Sequence, residues 1–226
     1  MTRTWSPLGF LIFLIPFGGF LHATEELEPQ KPVFQRAEGG TTQFGSIVID
    51  PNQSAVRFPA TTLKVDMPLE YSLVGEGGKT HETLFVTQQK PSDIHVAMLL
   101  TLPKTRDWEP IGVGDIIGDP VWVDVLWKNS EGEEVRHPLE TLIRNETTGS
   151  AGSEGPWIYN GSRIVDGVFQ AETDKVIFAV FDDPFALVNN PRKGHDNDEL
   201  WNPIWDRLPN PGTEVIIEVR RRQGSE

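Results

Sequence analysis

The feature that most constrains the fold is a succession of short apolar runs in which every second residue is apolar. In residues 121–127, four apolar side chains alternate with Trp122, Asp124 and Leu126. This period places successive side chains on opposite faces of a strand. Similar runs at 46–50, 55–60, 69–74, 80–87, 157–164, 167–171, 175–181 and 213–219 are also predicted to be strands. The chain should therefore be built mainly from β-structure.

Turn-forming residues separate the runs. Glycines in residues 75–78 favour a hairpin that joins the run 69–74 to the run 80–87. The loop 129–132 and the dipeptide Asp166-Gly167 indicate two further hairpins. In the final run, 213–219, alternate residues make an inward apolar face, and Glu218 belongs to the outward face.

One segment has a helical period instead. After Pro91, the apolar residues Ile94, Ala97 and Met98 recur at helical spacing. The predicted fold class is therefore α+β and mainly β, with antiparallel strands and hairpins, one clear helix near 92–102 and short helical turns.

The amino terminus is typical of a secretory signal peptide over residues 1–23. Arg3 supplies a positive charge, the run 8–21 is uncharged, and Ala23 precedes the expected cleavage point. The uncharged run is shorter than the roughly 20 apolar residues that span a bilayer. We therefore expect an exported protein, periplasmic or extracellular, with no stable membrane anchor after cleavage.

The rest of the chain divides into three parts. Residues 24–43 are acidic, contain proline and glycine, and are predicted to be a linker. Residues 44–222 carry all the predicted strands and should form a single domain, and residues 223–226 are a tail.

Composition excludes several classes of function. The chain has 33 acidic and 20 basic residues and a net charge of -13, which argues against binding to nucleic acid. It has no cysteine, so disulfides, thiolate-bound zinc and iron–sulfur clusters are excluded. No cofactor is predicted, apart from the divalent metal considered below.

Two neighbouring segments place polar side chains among apolar ones. Glu82 shares its strand face with Leu84, and His95 lies four residues before Leu99 on the helix. A short connection lets the helix fold back on the strand, so we expect a contact between Glu82 and His95, with His81 nearby. Such a cluster is either a ligand or metal site or a buried pair that fixes the helix to the sheet.

Two other clusters are of interest. His195 and Asp196 open an oxygen-rich stretch that is either a cation site or a solvated loop. A strand over 157–164 would carry aromatic and Arg side chains on one face around Gly161, for ligand binding or for packing. The candidates for ligand binding are His81, Glu82, His95, Trp157, Tyr159 and Arg163. The candidates for metal binding are His81, Glu82, His95, His195 and Asp196.

The order of several segments resembles the YdjY-type domain of bacterial exported proteins. These segments are KTHETL at 79–84, KPSDIH at 90–95, the strand at 121–125, the stretch 157–166 with its Gly-Ser-Arg, and Asp183-Pro184. The resemblance covers roughly residues 44–220. It implies a protein of the bacterial cell envelope and no defined reaction. Some members carry a ferredoxin-like label, which a chain without cysteine does not support.

The function that we expect is that of an exported, non-catalytic accessory or ligand-binding domain of the bacterial cell envelope. Its partner would be another envelope protein or a small ligand. The alternative is a divalent-metal-dependent enzyme with His and carboxylate ligands. Convergence of at least three of the metal candidates within coordination distance would favour this alternative.

Overall fold

Eight strands close into a barrel in the computed structural model, which describes residues 33–101 and 109–221. The strands, numbered in chain order, are β1 Phe34–Arg36, β2 Thr42–Phe44, β3 Ile47–Asp50, β4 Ala55–Thr62, β5 Tyr71–Gly75, β6 Thr83–Thr87, β7 Ile111–Val113, β8 Ile116–Lys128, β9 Glu134–Pro138, β10 Ile143–Asn145, β11 Ser150–Ala151, β12 Trp157–Tyr159, β13 Ile164–Val165, β14 Val168–Phe169, β15 Val176–Ala179, β16 Val188–Asn189, β17 Trp201–Pro203 and β18 Glu214–Arg220. The helices are α1 Pro91–Leu100 and α2 Gln170–Asp174, and short 3-10 turns lie at Glu38–Gly40, Thr80–Glu82, Leu139–Leu142 and Trp205–Arg207.

The barrel order is β4-β18-β8-β12-β16-β15-β5-β6, and β6 pairs again with β4. The closing pairs are Thr61 opposite Val86 and Thr62 opposite Phe85. Within the barrel, β15–β16 and β5–β6 are parallel and the other neighbours are antiparallel. Strands β3, β2 and β1 extend the sheet from β4, and β7 and β9 pair with β8.

Alternate side chains of the barrel strands make the core. Val215, Ile217 and Val219 of β18 are each 1% exposed and belong to the same apolar cluster as Phe58 and Phe85. An eight-stranded barrel is just wide enough for side chains to fill its interior. Most of the period-two runs form barrel strands, whereas the run 46–50 forms β3 outside the ring and the run 167–171 forms β14 and the start of α2. The predicted α+β, mainly β fold class is confirmed.

The predicted helix is confirmed as α1, although it begins at Pro91 and ends at Leu100. Ile94, Ala97 and Met98 join the main core cluster, and α1 packs against β3, β4 and α2. The opposite side of α1 exposes apolar side chains. Across the described ranges, we find no helix with the length and apolar character needed to cross a membrane.

The hairpin predicted between the runs 69–74 and 80–87 is wrong. Strands β5 and β6 are parallel, with Tyr71 opposite Thr83 and Leu73 opposite Phe85. Residues Thr80–Glu82 form a 3-10 turn, not strand, so the chain returns to the start of β5 before it pairs. Packing inside this connection is tight at Gly78, where a Cβ would lie 3.0 Å from the Cβ of Val74.

Part of the segment predicted as a linker, 24–43, is ordered strand. Residues 24–32 lie outside the described residues, but β1 pairs with β2, and the rings of Phe34 and Phe44 stack with centroids 4.3 Å apart. Gly39 and Gly40 have positive φ angles of 74° and 82°, which let the chain turn between the two strands. The predicted signal peptide (1–23) and tail (223–226) also lie outside the described residues.

Glu218, predicted to lie on an outward face, is 1% exposed. Its carboxylate accepts hydrogen bonds from Arg57 on β4 and Arg136 on β9, and it is also paired with Arg220. Long Arg side chains from the neighbouring strands cover the carboxylate, which the pattern of a single strand cannot reveal. The outer side of the sheet at β18 is therefore a charge cluster.

Candidate functional site

His95 is the sequence-predicted residue around which a cleft forms. Its Nδ1 lies 2.9 Å from the phenol oxygen of Tyr159, the last residue of β12. Its ring also packs on Phe169, with centroids 5.2 Å apart. The helix α1 therefore presents this imidazole to the end of β12 and to the start of α2, where the ring is held from two sides.

The chain after β12 leaves space for that ring. Gly161 and Ser162 both have positive φ angles, 74° and 65°, and so end the strand. A Cβ on Gly161 would lie 3.0 Å from Cε1 of His95, so that a larger residue would crowd the imidazole as well as strain the backbone. The Ser162 hydroxyl donates to the carbonyl of Phe185 at 2.5 Å and accepts from the amide of Ala171 at 3.1 Å. Left-handed conformations at non-glycine residues cost free energy, so the surrounding bonds hold a strained turn in place.

Burial sets the charge of both partners in the His95–Tyr159 pair. Burial raises the pKa of the Tyr159 phenol, although the nearby Arg221 opposes this, and burial lowers the pKa of the His95 imidazole. At neutral pH the phenol therefore keeps its proton and the imidazole is uncharged. When the phenol O–H donates to Nδ1, the imidazole proton lies on Nε2.

A second layer supports Tyr159. The guanidinium of Arg221 lies 5.4 Å from the centre of the Tyr159 ring and is itself paired with Asp119 at 3.2 Å. Both Arg221 and Asp119 are buried. The Arg221 guanidinium lies over the ring face and is held there by its buried ion pair with Asp119, so that it fixes the phenol in position.

The cleft beside His95 has a volume of about 560 Å³. This is within the range of small-molecule sites, roughly 300–1,000 Å³. The lining residues are Ser92, His95, Val96, Gly161, Ser162, Arg163, Ile164 and Phe169. We call this the His95 cleft. It offers apolar walls, a neutral imidazole and one guanidinium.

Trp157 and Arg163, which the sequence placed on one strand face, are separated. The strand stops at Tyr159, and Arg163 lies in the exposed segment beyond the turn. Trp157 is fully buried, donates its indole N–H to Glu140 at 3.0 Å, and has the guanidinium of Arg192 5.1 Å from its ring. Its role is structural, because these contacts leave no indole surface for a ligand.

Glu82 and His95 do not form the predicted pair. Glu82 lies in the 3-10 turn before β6, where its carboxylate is 3.3 Å from Nζ of Lys79 and 3.7 Å from Nε2 of His81. His95 uses Nδ1 for Tyr159 instead. The unexpected 3-10 turn rotates Glu82 off the strand face on which the prediction depended.

His195 and Asp196 lie in another part of the molecule. His195 Nδ1 is 2.7 Å from Asp182, and both His195 and Asp196 line an open depression of about 750 Å³ with the loop residues that follow. Within residues 33–101 and 109–221, no three His, Asp or Glu side chains are close enough together to bind a metal ion. The convergence that would favour the metal-enzyme alternative is not seen in this part of the chain.

Sequence patterns missed the apolar walls of the His95 cleft. Val96 is on α1, while Ile164 and Phe169 flank the hairpin turn at Asp166-Gly167. That turn was predicted correctly, but nothing in a local pattern shows that the hairpin lies beside α1.

Comparisons with known proteins add nothing here, because no family model, curated protein or solved structure matches this chain.

Proposed function

We propose that this protein is a non-catalytic ligand-binding domain and that the His95 cleft is its site. The observation that carries the proposal is an imidazole, held by Tyr159, that lines an apolar cleft of about 560 Å³. Pockets that combine apolar walls with a few fixed polar groups are the usual sites for small ligands.

The contacts of the cleft support binding more than catalysis. A mechanism with a serine nucleophile activated by histidine needs a serine hydroxyl within hydrogen-bond distance of the imidazole. Ser162 is instead bonded to the carbonyl of Phe185 and the amide of Ala171. Among the described residues, neither Ser162 nor Ser92 hydrogen bonds to His95.

We further propose export to the bacterial cell envelope as an accessory domain. The support is the uncharged run 8–21 with Arg3 before it, together with the resemblance to YdjY-type domains. The intact mass of the protein recovered from the periplasm or medium tests this. Loss of residues 1–23 is expected, and a full-length protein retained in the cytoplasm would contradict it.

Binding of a neutral fluorescent probe tests the site. N-phenyl-1-naphthylamine should bind the wild-type protein with saturable enhancement of its fluorescence, because the cleft walls are apolar. Ile164→Asp places a charge on one wall and should weaken binding at least about tenfold, since burying an unpaired carboxylate is costly. Ile164 is 72% exposed, so the substitution should leave the fold intact.

The matched control is Ile117→Asp. Ile117 is 66% exposed and does not line the His95 cleft. This variant should bind the probe as the wild type does. Equal losses in both variants, or no saturable binding in the wild type, would contradict the proposed site.

A further inference from the structure

We propose that the ligand of the His95 cleft is a small amphipathic carboxylate: an apolar chain or ring that carries one carboxylate group. This inference rests on the proposed function and adds the chemical class of the ligand. It follows from the positive charge of Arg163, the only formally charged side chain among the described lining residues, from the imidazole N–H that His95 can offer and from the apolar walls.

The charge in the cleft is positive. Arg163 is the only Lys, Arg, Asp or Glu among the lining residues, in a chain whose net charge is -13. Its side chain is exposed and has no hydrogen-bond or ion-pair partner among the described residues. A guanidinium offers two parallel N–H donors that match a carboxylate.

The nearby helix terminus does not supply a second anion site. At the start of α1, the amide of Ser92 already donates to the carboxylate of Glu172 at 3.0 Å, and Glu172 is also 3.1 Å from Nζ of Lys175. An incoming anion would be repelled by Glu172 at this terminus. The anionic group of a ligand is therefore directed to Arg163.

His95 adds a neutral donor. When the phenol O–H of Tyr159 donates to Nδ1, Nε2 carries the proton, and Nε2 has no partner among the described residues. A carboxylate accepts from such an N–H, whereas an ammonium group, which only donates, does not. The lining residues also offer no carboxylate to a cationic ligand.

The apolar part of the ligand has surfaces to cover. Val96, Ile164 and Phe169 form the cleft walls, and Val96 and Ile164 are 39% and 72% exposed. Covering these side chains with an alkyl chain contributes about 25 cal/mol per Å² of apolar surface removed from water. Neutral and charged ligands with the same alkyl chain gain this contribution equally, so the head group determines which of them binds more tightly.

Isothermal titration calorimetry with three eight-carbon compounds tests the ligand class. Octanoate should bind roughly two- to fivefold more tightly than octan-1-ol, because an ion pair with an exposed guanidinium contributes less than a tenfold gain in affinity. Octylammonium should bind more weakly than octan-1-ol. In Arg163→Gln the preference for octanoate should disappear, and in Arg36→Gln, which changes an exposed Arg on β1 outside the cleft, it should remain.

The outcomes separate this inference from the proposed function. If octan-1-ol binds as tightly as octanoate, the carboxylate class is wrong, and if Arg163→Gln keeps the preference, the pairing of the carboxylate with Arg163 is wrong; in both cases the cleft remains a binding site. If neither compound binds and N-phenyl-1-naphthylamine also fails to bind, the proposed function itself is wrong. Unchanged probe binding in Arg163→Gln shows that the variant is folded, so that loss of the preference is a specific result.

Discussion

At the residue scale, one backbone position determines whether His95 can lie beside Tyr159. Gly161 adopts a left-handed conformation, and it has no Cβ; a Cβ at this position would lie 3.0 Å from Cε1 of His95. The glycine was visible in the sequence as a gap between aromatic residues and Arg163. Its partner was not, because His95 lies on an element far away in the chain.

Gly161→Ala should therefore destabilise the protein and damage the cleft together. The positive φ alone costs about 1–2 kcal/mol, and crowding against the imidazole should raise the loss in free energy of unfolding to roughly 2–4 kcal/mol. Denaturant unfolding and N-phenyl-1-naphthylamine binding measure the two effects.

Gly132→Ala is the control for backbone strain. Gly132 has a φ of 81°, and nothing lies within 4 Å of a Cβ built on it. It should lose only the roughly 1–2 kcal/mol of conformational strain and keep probe binding. Equal losses of stability and binding in the two variants would show that contact with His95 plays no part.

At the element scale, local patterns identified strands better than they identified strand partners. The alternation in residues 213–219 correctly placed Val215, Ile217 and Val219 in the core of β18. Glu218 lies on the opposite, outer face as the alternation predicts, but it is buried there, because Arg57 and Arg136 from strands distant in sequence cover it. The parallel pairing of β5 with β6 was missed for the same reason.

Glu218→Gln should destabilise the barrel wall. Removing the charge takes the ion pair with Glu218 away from Arg57 and leaves Arg136 and Arg220 paired with Asp124 alone. Breaking a buried pair costs about 3–5 kcal/mol, and the partial exposure of the three guanidinium groups should reduce this to roughly 2–3 kcal/mol. Glu214→Gln, an exposed neighbour on the same strand, should change stability by less than about 0.5 kcal/mol.

The pH dependence has a definite sign. Burial alone would raise the pKa of Glu218, but hydrogen bonds from Arg136 and Arg57 outweigh it and hold the pKa below its ordinary value. The stability from this group is therefore present above about pH 4.3 and is lost as pH falls through the lower folded-state pKa. The difference in unfolding free energy between wild type and Glu218→Gln should shrink over that range, and a difference that grows on acidification would refute this account.

At the scale of the whole molecule, barrel closure brings the site together. The pairing of β6 with β4 completes the ring of strands, and α1, which directly follows β6, then packs on β3 and β4. This packing places His95 beside Tyr159, whose strand β12 lies between β8 and β16. The sequence could therefore predict strands, helix and several polar candidates, whereas the cleft depends on long-range pairing that no local period encodes.

The central claim is that the His95 cleft binds an apolar ligand, and imidazole NMR tests it most directly. In protein labelled with ¹⁵N at histidine, His95 at pH 7 should be neutral with its proton on Nε2. Saturating N-phenyl-1-naphthylamine should shift the His95 signals through the ring current of the probe, and those of His81, His137 and His195 should stay in place. Bound probe with unchanged His95 signals, or a shift confined to His195, would contradict the claim.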